Sequence, residues 1–356
     1  MKALFASLLL AACAAAEAPP QQAQAQGQTQ AVAPATPSDP QTGVVSAQPA
    51  ATVMETAPSS QTFAIPPAPA SGRTDAWPTP DYSPFVGPPA PAQVVVNCAG
   101  AFAQGGVALC RTAPGAKIRV DGEDRGRADA RGWAVIGFDR DSSAHSEVQF
   151  IGAPGEVATR TFDIMPRQFS VQSVNGLPPQ TVNPTEPAIL ARLARERQTK
   201  TIGFSSRADI EGWLDGFKWP VTGPISGSWG NQRIDNGVPK TPHYGVDVAV
   251  PIGTPVHAPA AGVVSLAEPD MFLEGGLVFI DHGQGLISMY LHMSRVDVHA
   301  GQMIAQGEQI GLSGDRGRAT GPHVCWRMKW RDRNLDPSLA ILALANARIA
   351  LANGAS

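Results

Sequence analysis

The sequence is poor in charge, in aromatic residues and in cysteine. Of its 356 residues only 16% are charged, and 27 basic against 30 acidic residues leave a net charge of −3. That balance supplies no basic footprint, which argues against nucleic acid as a partner. The apolar run from Leu4 to Ala12 is too short to cross a bilayer as a helix, which needs about 20 residues. With Lys2 before it and small residues after it, the run reads instead as an export signal over residues 1–18. No internal repeat is present.

The cysteines number four, and an exported chain exposes them to an oxidising compartment. Cys98 and Cys110 flank a short Gly/Ala-rich stretch and are placed to close a small disulfide loop. Cys13 belongs to the signal. Leu10-Ala11-Ala12-Cys13 resembles a bacterial lipobox, in which Cys13 would carry a lipid anchor and Ala14 would favour the outer membrane. Ordinary cleavage after Ala16 or Ala18, releasing the chain into the periplasm, is the alternative. Cys325 is left over. Metal ligation would account for it; a buried, inert thiol is the bland alternative.

Glycine and proline are plentiful instead, at 36 and 33, and roughly half of the prolines precede residue 92. Residues 19–95 are mostly Ala, Pro, Gln, Ser and Thr. They cannot bury enough surface to offset the entropy lost on ordering, so the segment reads as a disordered tether. Residues 96–178 show short apolar runs at regular spacing with turn signals such as Asp121-Gly122, the pattern of a small antiparallel β-sandwich. Residues 179–220 turn helical in period (Ile189, Leu190, Leu193, then Ile210, Trp213, Leu214) and predict a connector of one or two helices. Residues 221–340 are β-rich and punctuated by glycine, and 341–356 continue an Ala/Leu-rich helical tail. The fold class is therefore mainly β.

The chemistry-bearing residues gather in the 221–340 segment. His243, Asp247, His292, His323 and Cys325 can each bind or work beside a metal, and catalytic zinc sites take three ligands from this set. His323 and Cys325 stand at i and i+2, so on a strand they share a face, with Val324 and Trp326 on the other. His243 and Asp247 would lie about 13 Å apart on a straight strand. To share an ion the chain must bend between them, and Gly245 is the residue expected to permit it. His292 and His323 are candidates for acid–base work in amide hydrolysis. Asn231 and Arg233 could contact a substrate carboxylate, the arginine bidentately, or form a surface loop. Tyr290 could line a substrate groove or pack in the core.

From about Trp219 to Pro337 the chain resembles the lysostaphin/LytM-type zinc metallopeptidases, the bacterial cell-wall endopeptidases. The resemblance rests on His243-x-x-x-Asp247, Pro251-x-Gly253-Thr254-Pro255-Val256-x-Ala258, Asp281-His282-Gly283-x-Gly285, Tyr290-x-His292, Gly307-Glu308-x-Ile310-Gly311-x-Ser313-Gly314 and Thr320-Gly321-Pro322-His323. It implies an antiparallel β-sheet groove domain and Zn2+ held by His243, Asp247 and the residue at 325, with His292 and His323 catalytic. The implied function is hydrolysis of the peptide stems that cross-link peptidoglycan. The family's third ligand is a histidine, and here it is Cys325. A thiolate is a sound zinc ligand, though one that leaves the metal a weaker Lewis acid. The alternatives are a site that binds zinc but turns over poorly, and a degenerate module that binds peptidoglycan or activates a cell-wall amidase. Membrane contact enters only through the lipid anchor.

Overall fold

The computed structural model describes residues 88–352. The export signal, Cys13 and the tether as far as residue 87 lie outside the described residues. Residues 88–95, expected to end the tether, already lie on the first folded module. The Val94 amide donates to the Glu156 carboxylate at 2.8 Å, and the Pro88 carbonyl accepts from Arg111 at 2.7 Å.

The short apolar runs of that module build two small antiparallel sheets. One orders its strands Asn97–Gly100, Val107–Arg111, Trp133–Gly137; the other Glu123–Arg127, Lys117–Val120, His145–Ile151, Val157–Asp163. Alternation sets which face is buried: Ser146, Val148 and Phe150 point inward along His145–Ile151 while His145 and Glu147 stay exposed. Asp121 and Gly122 both take positive φ, 55° and 80°, which is the twist-matched turn of a two-residue hairpin. Cys98 and Cys110 are cross-strand partners joined by a disulfide.

The connector contains one long helix, Pro187–Phe204, entered through proline at its first turn. The second helix suggested by Ile210, Trp213 and Leu214 does not form. Residues 205–224 run irregularly, with Trp213 and Leu214 buried in the core. The backbone there packs closely on the second half of the chain: a Cβ on Gly212 would meet the Ala261 carbonyl oxygen at 1.9 Å.

The second half of the chain is built on an eight-stranded sheet. Its path runs Met303–Ile304, Gly262–Met271, Gly275–Asp281, Leu286–Met293, His323–Trp330, Gly245–Ala249, Ile225–Gly227, with Arg333–Leu335 off the fifth strand. One face carries Val278, Tyr290, Val324, Trp326 and Met328 into the main core. The other carries Leu266, Leu277, Phe279, Met289, Leu291 and Cys325. Helix Pro187–Phe204 covers part of that second face, with Gly203 against Phe279 and Leu266 and the Phe204 and Phe279 rings 4.6 Å apart. The terminal helix Pro337–Ala352 starts under Asp336, whose carboxylate accepts from the Ser338 amide at 3.0 Å. It returns to pack on Asn97–Gly100 and Val107–Arg111. Among the described residues, no helix is long and apolar enough to cross a membrane.

Candidate metal centre

Strands Gly245–Ala249 and His323–Trp330 pair antiparallel in a register that sets Asp247 directly opposite Cys325. Cross-strand partners project to the same face, so pairing alone brings a carboxylate and a thiol together. His323, Cys325 and Arg327 alternate onto that face, while Val324 and Trp326 are fully buried on the other.

His243 lies before its strand. Its amide donates to the Asn231 carbonyl at 2.8 Å, and its carbonyl accepts from Gly230 at 2.7 Å. These bonds hold it to a neighbouring turn and swing its ring over the strand. Its Nε2 comes to 3.1 Å from Asp247 Oδ1 and 3.4 Å from Cys325 Sγ. Gly245 is required for a different reason from the one expected. It is absent from the residues of positive φ, but a Cβ there would stand 2.7 Å from Cys325 Sγ and 2.8 Å from Arg327 Cγ. Gly227 does the same for the carboxylate, where a Cβ would stand 2.2 Å from Asp247 Oδ2. Both glycines are bare because the Cys325, Arg327 and Asp247 side chains fill the space.

These three residues fit a divalent metal. Their ligand atoms all lie within 4.8 Å of one another, and all three residues are buried. Tetrahedral donors 2.0–2.3 Å from an ion stand about 3.3–3.8 Å apart, close to the 3.1 and 3.4 Å that separate His243 Nε2 from Asp247 Oδ1 and Cys325 Sγ. The orphaned atom is the stronger indication. Asp247 Oδ2 accepts from Arg233 Nη2 at 2.7 Å, but the buried Oδ1 has no hydrogen-bond partner. Although His243 Nε2 is within reach, the His243 Nδ1–H is directed at the Ser228 carbonyl at 3.3 Å, which leaves Nε2 a bare lone pair. Two lone pairs therefore face one point, which is costly without a cation between them.

Electrostatics agree with this. Burial pushes His243 below its ordinary value, favouring the neutral imidazole that ligation requires. Burial alone would raise the Asp247 carboxyl, but the charged groups around it, Arg233 among them, hold it well below the usual carboxylate range. Burial pushes the Cys325 thiol up to about 12 against the pull of Arg327, with Asp247 adding to the rise. A bound divalent cation deprotonates such a thiol outright.

His292 and His323 flank this cluster with ring centroids 4.6 Å apart. His292 sits at φ 67°, a strained conformation for a side chain that size, and its amide is held by the Glu274 carbonyl at 2.7 Å. Its Nδ1 donates to the Arg316 carbonyl at 2.8 Å, and His323 Nδ1 donates to the Gly321 carbonyl at 2.9 Å. Carbonyls accept only, so both rings are fixed with Nε2 free. His323 Nε2 is 3.8 Å from Asp247 Oδ1. Burial, reinforced by His323, pushes His292 down to about 3, which makes it a neutral acceptor. A cavity of about 210 Å³ opens over the cluster, with Gln172, Lys240, Leu273, Glu274, Arg318 and Thr320 among its walls.

The other predicted residues fall elsewhere. Arg233 is drawn into the site, but its guanidinium clamps Asp247. Asn231 lies in the turn that anchors His243, and its side chain accepts from the Ser170 amide at 3.1 Å. Tyr290, considered for the groove, faces the opposite side of the sheet and is fully buried, its hydroxyl 2.5 Å from Ser288 Oγ. His282 is a core residue, bonded to the Ala261 carbonyl and Ser288 Oγ at 2.7 Å each. The residue that sequence reasoning missed is Arg327, whose Nε donates to Cys325 Sγ at 3.3 Å. Its i+2 spacing from Cys325 is the signal that could have found it.

Residues 241–337 match the profile of Peptidase family M23. A solved structure of a candidate peptidase M23 from Pseudomonas aeruginosa is 31% identical, covering 67% of this chain and 95% of its own, with a TM-score of 0.52. Peptidoglycan DD-endopeptidase ShyA of Vibrio cholerae is 40% identical over 106 residues, 30% of this chain and 24% of its own. Cell division protein DipM of Caulobacter vibrioides is 30% identical over 135 residues, 35% of this chain and 21% of its own. The chain thus spans about a quarter of the length of the curated relatives it matches.

Proposed function

Because this chain belongs to peptidase family M23, we propose that it is a zinc-dependent endopeptidase that hydrolyses peptide cross-links of peptidoglycan in the cell envelope. One observation carries the reading: His243 Nε2, the unpartnered Asp247 Oδ1 and Cys325 Sγ converge on one point beneath an open cavity. The similarity to proteins named peptidoglycan DD-endopeptidases gives the substrate class.

Zinc bound by His243, Asp247 and Cys325 would supply an acidified water and a polarised scissile carbonyl. The chain's own groups do the rest. Arg233 fixes the Asp247 carboxylate so that Oδ1 is presented to the site. His292 and His323, with Nδ1 committed to carbonyls, offer Nε2 to take the proton of the attacking water and to return it to the departing amine. The buried setting of His292 keeps it neutral, so that its Nε2 presents a lone pair to the site. The walls of the cavity would hold the peptide stem in line.

A non-catalytic module that binds peptidoglycan or activates an amidase is the rival reading. Two features favour the enzyme. The sulfur turns into the site, and none of the residues lining the cavity comes from helix Pro187–Phe204. Export to the periplasm, with or without a lipid anchor on Cys13, is part of the same proposal, since the substrate lies there. The test is digestion of purified peptidoglycan by the zinc-loaded full chain, read by mass spectrometry. Cross-link cleavage products that disappear with chelator support the enzyme. Intact cross-links with a folded, metal-loaded protein favour the binding role.

A further inference from the structure

We propose that Arg327 is a positioning residue for Cys325: it holds the sulfur toward the metal and supplies the counter-charge that a thiolate ligand needs. This rests on the reading of Cys325 as a zinc ligand. Arg327 follows Cys325 by two residues on the same strand and faces the same side of the sheet. Its Nε donates to Sγ at 3.3 Å, and it lines the cavity. The strand register places it opposite Gly245, the position left bare for the sulfur and for the Arg327 side chain itself.

Charge accounting gives the contact its purpose. A centre with two imidazoles and one carboxylate around a dication keeps one unit of positive charge. Exchanging one imidazole for a thiolate removes it. A thiolate also donates more electron density, so the metal should polarise a carbonyl less well. Arg327 returns a unit of positive charge beside the sulfur. An N–H donated to a sulfur lone pair withdraws density from the metal–sulfur bond, and such outer partners tune metal sites strongly. Arg233 does the equivalent on the far oxygen of Asp247. The two anionic ligands thus each have a guanidinium behind them, and the neutral ligand His243 has a backbone carbonyl.

The test uses the full chain loaded with cobalt(II) in place of zinc, read by the thiolate-to-cobalt charge-transfer absorption. Cys325→Ser identifies the band by its loss. Arg327→Met removes the hydrogen bond and the charge. Arg327→Lys keeps the charge but loses the planar Nε donor, and it also serves if the methionine variant does not fold. The proposal predicts a band displaced to lower energy in both variants, more in Arg327→Met, because a sulfur relieved of its donor gives up charge more readily. Metal affinity should change about ten- to a hundredfold. A band that stays at the wild-type position in the folded variants overturns the role of Arg327 alone. Cobalt binding without any such band in the wild-type protein removes Cys325 from the ligand set and overturns the underlying reading as well.

Discussion

Gly245 and Cys325 face each other across two paired strands so closely that a methyl group on Gly245 would sit 2.7 Å from the cysteine sulfur. Real Cβ atoms do not approach sulfur that closely, so Gly245→Ala must displace the Cys325 side chain or the strand. We expect a folded protein whose metal affinity falls about tenfold or more, measured by competition with a chromophoric chelator. Unchanged affinity would mean that the sulfur is not where ligation requires it.

Arg233 and Asp247 give a second prediction. Removing the guanidinium in Arg233→Gln leaves Asp247 Oδ2 without its charged partner and lets the carboxylate rotate. Metal affinity should drop about ten- to a hundredfold, with kcat/KM following it. If Arg233 instead served the substrate carboxylate, KM would rise while metal affinity held.

His292 should separate binding from chemistry. Its contacts are to backbone carbonyls and to His323, and it is not one of the three converging ligands. His292→Ala should retain one equivalent of metal and lose turnover by about 10²–10⁴-fold. Loss of the metal itself would make His292 a ligand and contradict the assignment.

His282 predicts a pH dependence of stability remote from the site. Burial pushes its pKa from the ordinary 6.5 down to about 4. The folded protein therefore keeps it neutral while the unfolded chain takes up a proton below pH 6.5. The stability it contributes is complete above 6.5 and is lost as pH falls toward 4, at up to about 1.4 kcal/mol per pH unit. Denaturant unfolding across this window should show a flatter dependence in His282→Gln than in wild type. Parallel curves would mean that His282 is already charged in the fold.

What the sequence discloses and what it hides follow from the physics of strands. His323 and Cys325 declare a shared face through simple alternation, and Asp247 lies on a strand that pairs with theirs. Tyr290 is not readable in this way. Its strand, Leu286–Met293, is buried along its whole length, so alternation of polarity cannot tell groove from core. Ile210, Trp213 and Leu214 mimic a helix because their spacing is that of a buried face, yet Gly212 requires a backbone contact that only the fold reveals. Gly245 was legible as a special position but not for its cause, since a crowded Cβ site and a bend call for the same residue. The Arg233–Asp247 and Arg327–Cys325 contacts depend on side-chain direction across strands and needed the structure.

In the proposed centre the metal is held by one imidazole, one carboxylate and one thiolate. Zinc-edge X-ray absorption of the loaded full chain tests it most directly. A single sulfur scatterer is expected at about 2.3 Å together with nitrogen and oxygen scatterers at about 2.0–2.2 Å. A first shell of nitrogen and oxygen alone, with Cys325 intact and reduced, would contradict it.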